Sequence, residues 1–357
     1  MTGHLTGHLT GHVSDLVTEP LPTPTIDVHA HLLLPEIEEA VAGHPGLAEA
    51  RDLDARRNGP AALAVNGPMV GARVPRLTDV AVRLAAMDEA GVDVQLVSPS
   101  PGHYHYWAGP QLANTICQLA NEGTAAHCAK APDRLHGLGL VPLQHPGLAV
   151  RLLDHALDQG LRGVEISSHA PGPDGAREVE LSDPRLASFW ARAEESGALV
   201  FLHPFGCTLD GRLDRWYLSN TVGQPTENAV ALSHLIFSGV LDRHPDLKLV
   251  AAHGGGYLPT HIGRSDHAWR ARPDARVCAR EPSSYLGQLY FDSLVHDPYV
   301  LRELIRAAGA DRVLLGSDFP FDMGTDDPLG ALRAAGLPDH DFHAVRGGNA
   351  AALLNLA

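Results

Sequence analysis

The run Thr25-Ile26-Asp27-Val28-His29-Ala30-His31 closes on two histidines, and their spacing is the first chemistry the chain offers. The β-branched residues around them predict a short strand, on which side chains alternate faces, so His29 and His31 point the same way. Two neutral imidazoles side by side are half of a first-row divalent metal site. Three later apolar runs end on residues of the same kind, His203, His253 and Asp318. Each read alone is an ordinary hydrogen-bonded residue at a strand end. Gathered at one place, three histidines and a carboxylate make a divalent-ion site with room for a bound water. His253, followed by Gly254-Gly255-Gly256, adds a further imidazole beside it.

Gathering them requires parallel strands that all end at one face. Runs rich in Val, Ile and Leu at 92–97, 135–141, 161–167, 198–203, 247–253, 289–294 and 312–318 make eight strands with the opening one. Several are nearly continuous hydrophobic stretches, the pattern of parallel strands covered on both faces. Segments with helical apolar spacing lie between them, at 80–90, 112–130, 148–159, 184–196, 227–243 and 298–308. Pro184 opens one of these helices and Gly91, Gly160 and Gly197 close others, as helix punctuation requires. Eight such units predict an α/β fold of the (β/α)8 TIM-barrel type, whose active sites sit at the C-terminal strand ends. A doubly wound sheet is the alternative, but no Gly-x-Gly-x-x-Gly fingerprint follows an early strand. Residues 25–357 read as one barrel. Residues 1–24, with a repeated Thr-Gly-His-Leu, read as a flexible tail. The connection from His31 to about Val92 is the longest and carries Pro35, Pro45, Gly59, Pro60, Gly67 and Pro68. It reads as a long loop inserted after strand 1, a lid or an oligomer contact.

A net charge of −15 in 357 residues argues against a nucleic-acid or anionic-membrane partner. The four cysteines, 117, 128, 207 and 278, form no C-x-x-C pair and read as buried thiols of a reducing compartment. No apolar run is long enough to span a membrane and no signal-peptide core opens the chain, so the expected location is the cytoplasm.

Ile-Asp-Val-His-Ala-His, Leu-His-Pro, Ala-His-Gly-Gly-Gly and Gly-Ser-Asp-Phe-Pro together resemble the amidohydrolase superfamily, in its aminocarboxymuconate semialdehyde decarboxylase-like branch. The likeness runs from about Thr25 to the C-terminus. It takes in Met87–Gln95 before strand 2, Gly263–Arg270 after strand 6 and Asn349 near the end. The resemblance implies that His29, His31, His203 and Asp318 bind one divalent ion, usually zinc, although such ligands also accept manganese, iron or cobalt. It implies that His253 activates a metal-bound water and, with Asp318, carries the catalysis. Binuclear relatives bridge two metals with a carboxylated lysine at the end of strand 4. Here Lys130 and Lys248 are the only lysines and strand 4 carries Glu165, read as a satisfied interior carboxylate rather than a bridge to a second metal.

The reaction implied is non-oxidative decarboxylation of a small unsaturated or aromatic carboxylic acid. The same parts could attack a carbonyl, so hydrolysis of a lactone or amide-like bond stays open, as does a barrel that binds without catalysis. A carboxylate substrate calls for arginine in so acidic a chain. By position Arg264 matches a family arginine that reaches the neighbouring active site of a homodimer. Arg73 is the candidate for the other carboxylate-binding arginine, and Trp216 for an aromatic substrate contact. Asp292, Ser293 and Phe319 either line the pocket or pack near it. His103-Tyr104-His105-Tyr106-Trp107 departs from the family pattern and reads as a pocket wall, with a second metal as the other possibility.

Overall fold

A computed structural model describes residues 23–172 and 178–356; nearly all of the predicted N-terminal tail lies outside them. Among the described residues the eight barrel strands are Ile26–Leu32 (β1), Val94–Pro99 (β2), Leu135–Gly137 continuing as Gly139–Leu140 (β3), Gly163–Ile166 (β4), Leu199–Leu202 (β5), Lys248–Ala251 (β6), Tyr290–Asp292 (β7) and Val313–Leu314 (β8). Each pairs in parallel with the next, for example His31 with Ser98 across β1 and β2, and Ile166 with Leu202 across β4 and β5. Closure comes from β1 meeting the β8 segment, where the Val28 amide donates to the Leu315 carbonyl at 2.9 Å and the His31 amide to Phe319 at 2.8 Å. The result is the predicted (β/α)8 barrel.

The strands are Val- and Leu-rich and buried along almost their whole length, because helices cover the outside and packed side chains fill the inside. The outer layer includes Val80–Ala90 (α3), Pro110–Cys128 (α4), Pro146–Asp158 (α5), Ala187–Ser196 (α6) and Gln224–Phe237 (α7), then Gly263–Ala271 (α8) and Pro298–Ala308 (α9). Asp79 caps α3 and Asp297 caps α9, each accepting from two free amides of the first turn. The helix expected over 227–243 instead stops at Phe237, and Gly239, at φ 73°, turns the chain into the separate turn Val240–Arg243. No helix among the described residues is long and apolar enough to cross a membrane.

The largest correction concerns the connection after β1. It is not a loop: Pro35–Val41 (α1) and Pro45–Thr78 (α2) fill it with helix. Pro35 and Pro45 stand at helix starts, where a missing N–H costs nothing. Gly59 breaks α2 at φ 73°, and Pro60 therefore begins a fresh helical segment. A β-carbon on Gly59 would fall 1.9 Å from the Asp214 carbonyl oxygen, so glycine is what lets α2 lie against the excursion after β5. That contact lays α2 across the mouth of the barrel.

Candidate metal centre

Beneath the site lies a hydrogen-bond lattice that no single motif announces. Asp27 accepts from the His29 and Ser317 amides, the Ser317 hydroxyl at 2.6 Å and the Gln95 amide at 3.0 Å. Gln95 in turn accepts from the wholly buried Arg83, whose guanidinium also donates to the His31 carbonyl. One carboxylate thus ties β1 and the end of β8, which supply His29, His31 and Asp318, to the neighbouring β2. Asp318 and His253 both sit at left-handed backbone angles, φ 56° and 54°. Such angles are costly for non-glycine residues and persist where surrounding contacts impose them.

His29, His31, His203 and Asp318, all buried, bring one ligand atom each within 4.8 Å of all the others. His29 Nε2 faces His31 Nε2 at 3.1 Å, and Asp318 Oδ1 lies 3.5 and 3.2 Å from the two. The outward nitrogens explain what this means. His29 Nδ1 donates to Asp292 at 2.6 Å, and His31 Nδ1 meets the Ser98 hydroxyl at 3.3 Å. With their protons committed there, both rings turn lone pairs inward. Among the described residues, Asp318 Oδ1 and both His203 ring nitrogens are buried without a hydrogen-bond partner. Acceptors converging on acceptors repel one another unless a cation stands between them, so the donor set fits a divalent ion.

Burial lowers the pKa of His29, yet Asp318 and Asp292 outweigh it and raise it to about 9, so the carboxylates favour positive charge at the point where a cation would stand. Burial pushes against ionisation of Asp318, but His29, His253 and His31 hold its carboxyl well below the usual range. His203 is kept neutral, first by burial and then by the neighbouring imidazoles. His253 Nε2 lies 4.0 Å from Asp318 Oδ2, with its ring 4.9 Å from that of His203. Asp292, undecided from sequence, is a wholly buried partner of His29 that also accepts from the Gly254 amide at 2.8 Å, so it couples His29 to the turn carrying His253. Phe319 packs under the buried Arg83 guanidinium, 5.1 Å from it.

A cavity of about 340 Å³ opens above the cluster, lined by His31, His203, His253 and Asp318 on the barrel side. Across from them stand Asp54, Arg57 and Asn58 and, two turns on, Asn66, Met69 and Val70, the inward stripe of α2. Arg57 is the arginine in this lining; its buried Nε makes no hydrogen bond among the described residues and lies 4.0 Å from Asp210 Oδ1. Glycine at 206 leaves space for it, since a β-carbon there would meet Arg57 Nη1 at 2.6 Å. Sequence reading missed Arg57 because a loop presents no stripe; once α2 is helical, its i, i+3, i+4 neighbours single it out.

The other expected substrate contacts fall elsewhere. Arg73 lies on the same side of α2 but beyond the lining, its Nε donating to the Pro320 carbonyl at 2.5 Å. Arg264, on α8, is exposed and away from this cavity. Trp216 is a correction: it is 82% exposed, and its neighbour Tyr217 faces the cavity instead. Tyr104, His105, Tyr106 and Trp107 wall an adjoining chamber of about 660 Å³ that shares Asp54, Arg57, Phe205 and Gly206 with the first. A shallower groove of about 680 Å³ between α4 and α5 holds none of these residues.

Glu38, His103 and His105 form a second histidine–carboxylate group. Here the Leu34 amide donates to His103 Nε2 at 3.1 Å, which places the ring proton on Nδ1, 3.5 Å from Glu38. The Nδ1 side of the ring faces Glu38, and a metal there would have to displace its proton; His103 Nδ1 and His105 Nε2 make no hydrogen bond among the described residues. Burial pushes His105 down to about 4, leaving it neutral.

A family model described as amidohydrolase matches residues 26–356. A 2-amino-3-carboxymuconate-6-semialdehyde decarboxylase of Dictyostelium discoideum is 35% identical over 305 residues, 84% of this chain and 82% of that protein. A gamma-resorcylate decarboxylase of Rhodococcus jostii (strain RHA1) is 30% identical over 294 residues, 79% and 89% of the two chains. The fold is shared with a dihydroxybenzoic acid decarboxylase from Polaromonas sp. JS666, solved with bound manganese and 2-nitroresorcinol. That likeness has a TM-score of 0.76 at 24% identity, covering 94% of this chain and 97% of that one. From its first strand to its last helix, this chain belongs to the amidohydrolase family.

Proposed function

We propose that this enzyme is a metal-dependent, non-oxidative decarboxylase of a small unsaturated or aromatic carboxylic acid, of the aminocarboxymuconate semialdehyde or hydroxybenzoate type. The observation that carries this reading is the convergence of His29, His31, His203 and Asp318 on one point, beneath a cavity whose lining includes Arg57. In this reading those four residues hold one ion, zinc in the first instance. When bound, the ion supplies positive charge against the negative charge that develops on substrate oxygen.

The chain's own residues divide the remaining work. Arg57 anchors an acidic substituent that the substrate keeps, through charge-assisted hydrogen bonds. The carboxylate that leaves goes toward Leu33, Met69, Val70 and Phe321, where loss of charge is favoured because an apolar wall solvates carbon dioxide better than a carboxylate. As the C–C bond breaks, its electron pair stays on the substrate carbon, and His253 delivers a proton to that carbon. Tyr217, Asn58 and Asn220 complete the wall and give the ring or chain of the substrate its orientation. We carry the homodimer as part of this proposal, with Arg264 serving the neighbouring subunit; a molecular mass of one chain in solution at working concentration would remove it.

The test is a screen of metal-loaded protein against muconate semialdehydes and hydroxybenzoates, following carbon dioxide and product together. Stoichiometric carbon dioxide with no net uptake of water is expected. Turnover of a lactone or amide with no carbon dioxide from any acid would replace this reading with a hydrolase.

A further inference from the structure

Glu165 ends β4 inside the barrel and is wholly buried, yet it touches no ligand of the metal cluster directly: its nearer oxygen is 3.8 Å from His31 Nδ1. Two hydroxyls bridge that gap. The Ser98 hydroxyl on β2 donates to Glu165 Oε2 and lies 3.3 Å from His31 Nδ1. The Tyr104 hydroxyl lies 2.6 Å from Glu165 Oε1 and 2.9 Å from the His203 carbonyl oxygen and shares its one proton between them. A single carboxyl therefore reaches two of the four ligand residues, on two different strands, through one hydroxyl each.

These two residues are the ones that lack a support of their own. His29 has Asp292 at 2.6 Å to fix its proton and its ring. Among the described residues, the outward nitrogen of His31, Nδ1, has no carboxylate at hydrogen-bond distance, Glu165 being 3.8 Å away, so on that side Ser98 is the group that engages it. Among the described residues neither ring nitrogen of His203 has a hydrogen-bond partner; its residue is held through the main chain, by its amide to Ile166 at 2.9 Å and its carbonyl to Tyr104.

We propose that Glu165 is a positioning residue of the metal centre, which acts through Ser98 to keep the His31 lone pair aimed inward and through Tyr104 to hold His203 in place. The proposal rests on the metal site of the preceding section. It gives the interior carboxylate a task other than bridging a second ion, since both its oxygens are occupied by hydroxyls.

Glu165→Gln, Glu165→Leu, Ser98→Ala and Tyr104→Phe test it, with zinc affinity measured by chelator competition and unfolding of the metal-free proteins measured alongside. Glutamine keeps every contact, because its oxygen accepts from Ser98 while its N–H donates to Tyr104, whose proton then goes to His203. Its zinc affinity should stay within about threefold of wild type, whereas Glu165→Leu and Ser98→Ala should bind about 10–100-fold more weakly, the usual cost of losing an outer partner of a metal-binding histidine. Ser98→Ala removes a single hydroxyl and should leave metal-free unfolding unchanged, so it decides the matter if the leucine variant does not fold. Wild-type affinity in Ser98→Ala and Glu165→Leu would overturn the proposal, and so would a glutamine variant as weak as the leucine one. A wild-type protein that binds no zinc would instead overturn the metal site itself.

Discussion

Two histidine–carboxylate groups lie at the same end of this barrel, built from the same residue types, and they differ in where their protons point. In His29, His31, His203 and Asp318 the outward nitrogens of the first two rings are engaged by Asp292 and Ser98, and the inward ring atoms and a carboxylate oxygen converge on one point. In Glu38, His103 and His105 a backbone amide takes the His103 lone pair, and what faces Glu38 is an N–H. The first arrangement brings three rings and a carboxylate oxygen to one point; in the second a main-chain amide already occupies one His103 nitrogen, while His103 Nδ1 and His105 Nε2 have no hydrogen-bond partner among the described residues. A count of histidines near carboxylates does not separate them, but the partner of the far nitrogen does.

The comparison can be broken most sharply by removing one ligand from each group. Asp318→Asn and His203→Ala should each abolish zinc retention after dialysis and lower kcat/KM at least about 10³-fold, since metal and catalysis are lost together. His103→Ala combined with His105→Ala should leave the bound metal unchanged. Metal lost from that double variant would erase the distinction.

Arg57, in the wall common to both chambers, gives the next largest effect. Arg57→Met should reduce kcat/KM about 10–100-fold, mostly through KM, as expected when a charge-assisted anchor is withdrawn. Arg73→Met, whose side chain is turned to the Pro320 carbonyl, should change KM less. Equal losses in the two would show that the stripe on α2 has been misassigned.

A third pair sharpens the comparison through stability. Glu227 meets His169 at 3.2 Å and accepts from the Thr208 amide and hydroxyl at 2.7 and 2.9 Å. Burial would raise its pKa, but His169 and Thr208 prevail and lower it from 4.5 to about 2. A carboxylate depressed in the folded state stabilises it above the unfolded pKa and loses that contribution as pH falls through the folded value. Glu227→Gln should therefore cost on the order of 2–3 kcal/mol at neutral pH, with the gap to wild type closing between about pH 4.5 and 2 in urea unfolding. A pH-independent gap would mean that Glu227 acts through packing alone.

The barrel was legible because its strands are hydrophobic on both faces and its helices begin and end on Pro, Asp and Gly. The ligand set was legible for a related reason: strand ends are places where polarity stands out against Val and Leu. Helix α2 was not legible, because Gly59, Pro60, Pro68 and Pro75 are helix-breaking residues in most settings. Here Gly59 is the break itself, Pro60 opens the next segment, and the helix is held by its contact with the strand-5 excursion. Arg57 was hidden with it. Trp216 and Tyr217 show a finer limit, since both adopt left-handed angles and only the fold decides which of two adjacent aromatics faces inward.

Metal content of the purified, metal-loaded protein, set beside that of Asp318→Asn and of the His103/His105 double variant, tests the central claim most directly. The account predicts about one divalent ion per chain in wild type and the double variant, and none in Asp318→Asn. Two ions per chain, or one that survives in Asp318→Asn, would contradict it.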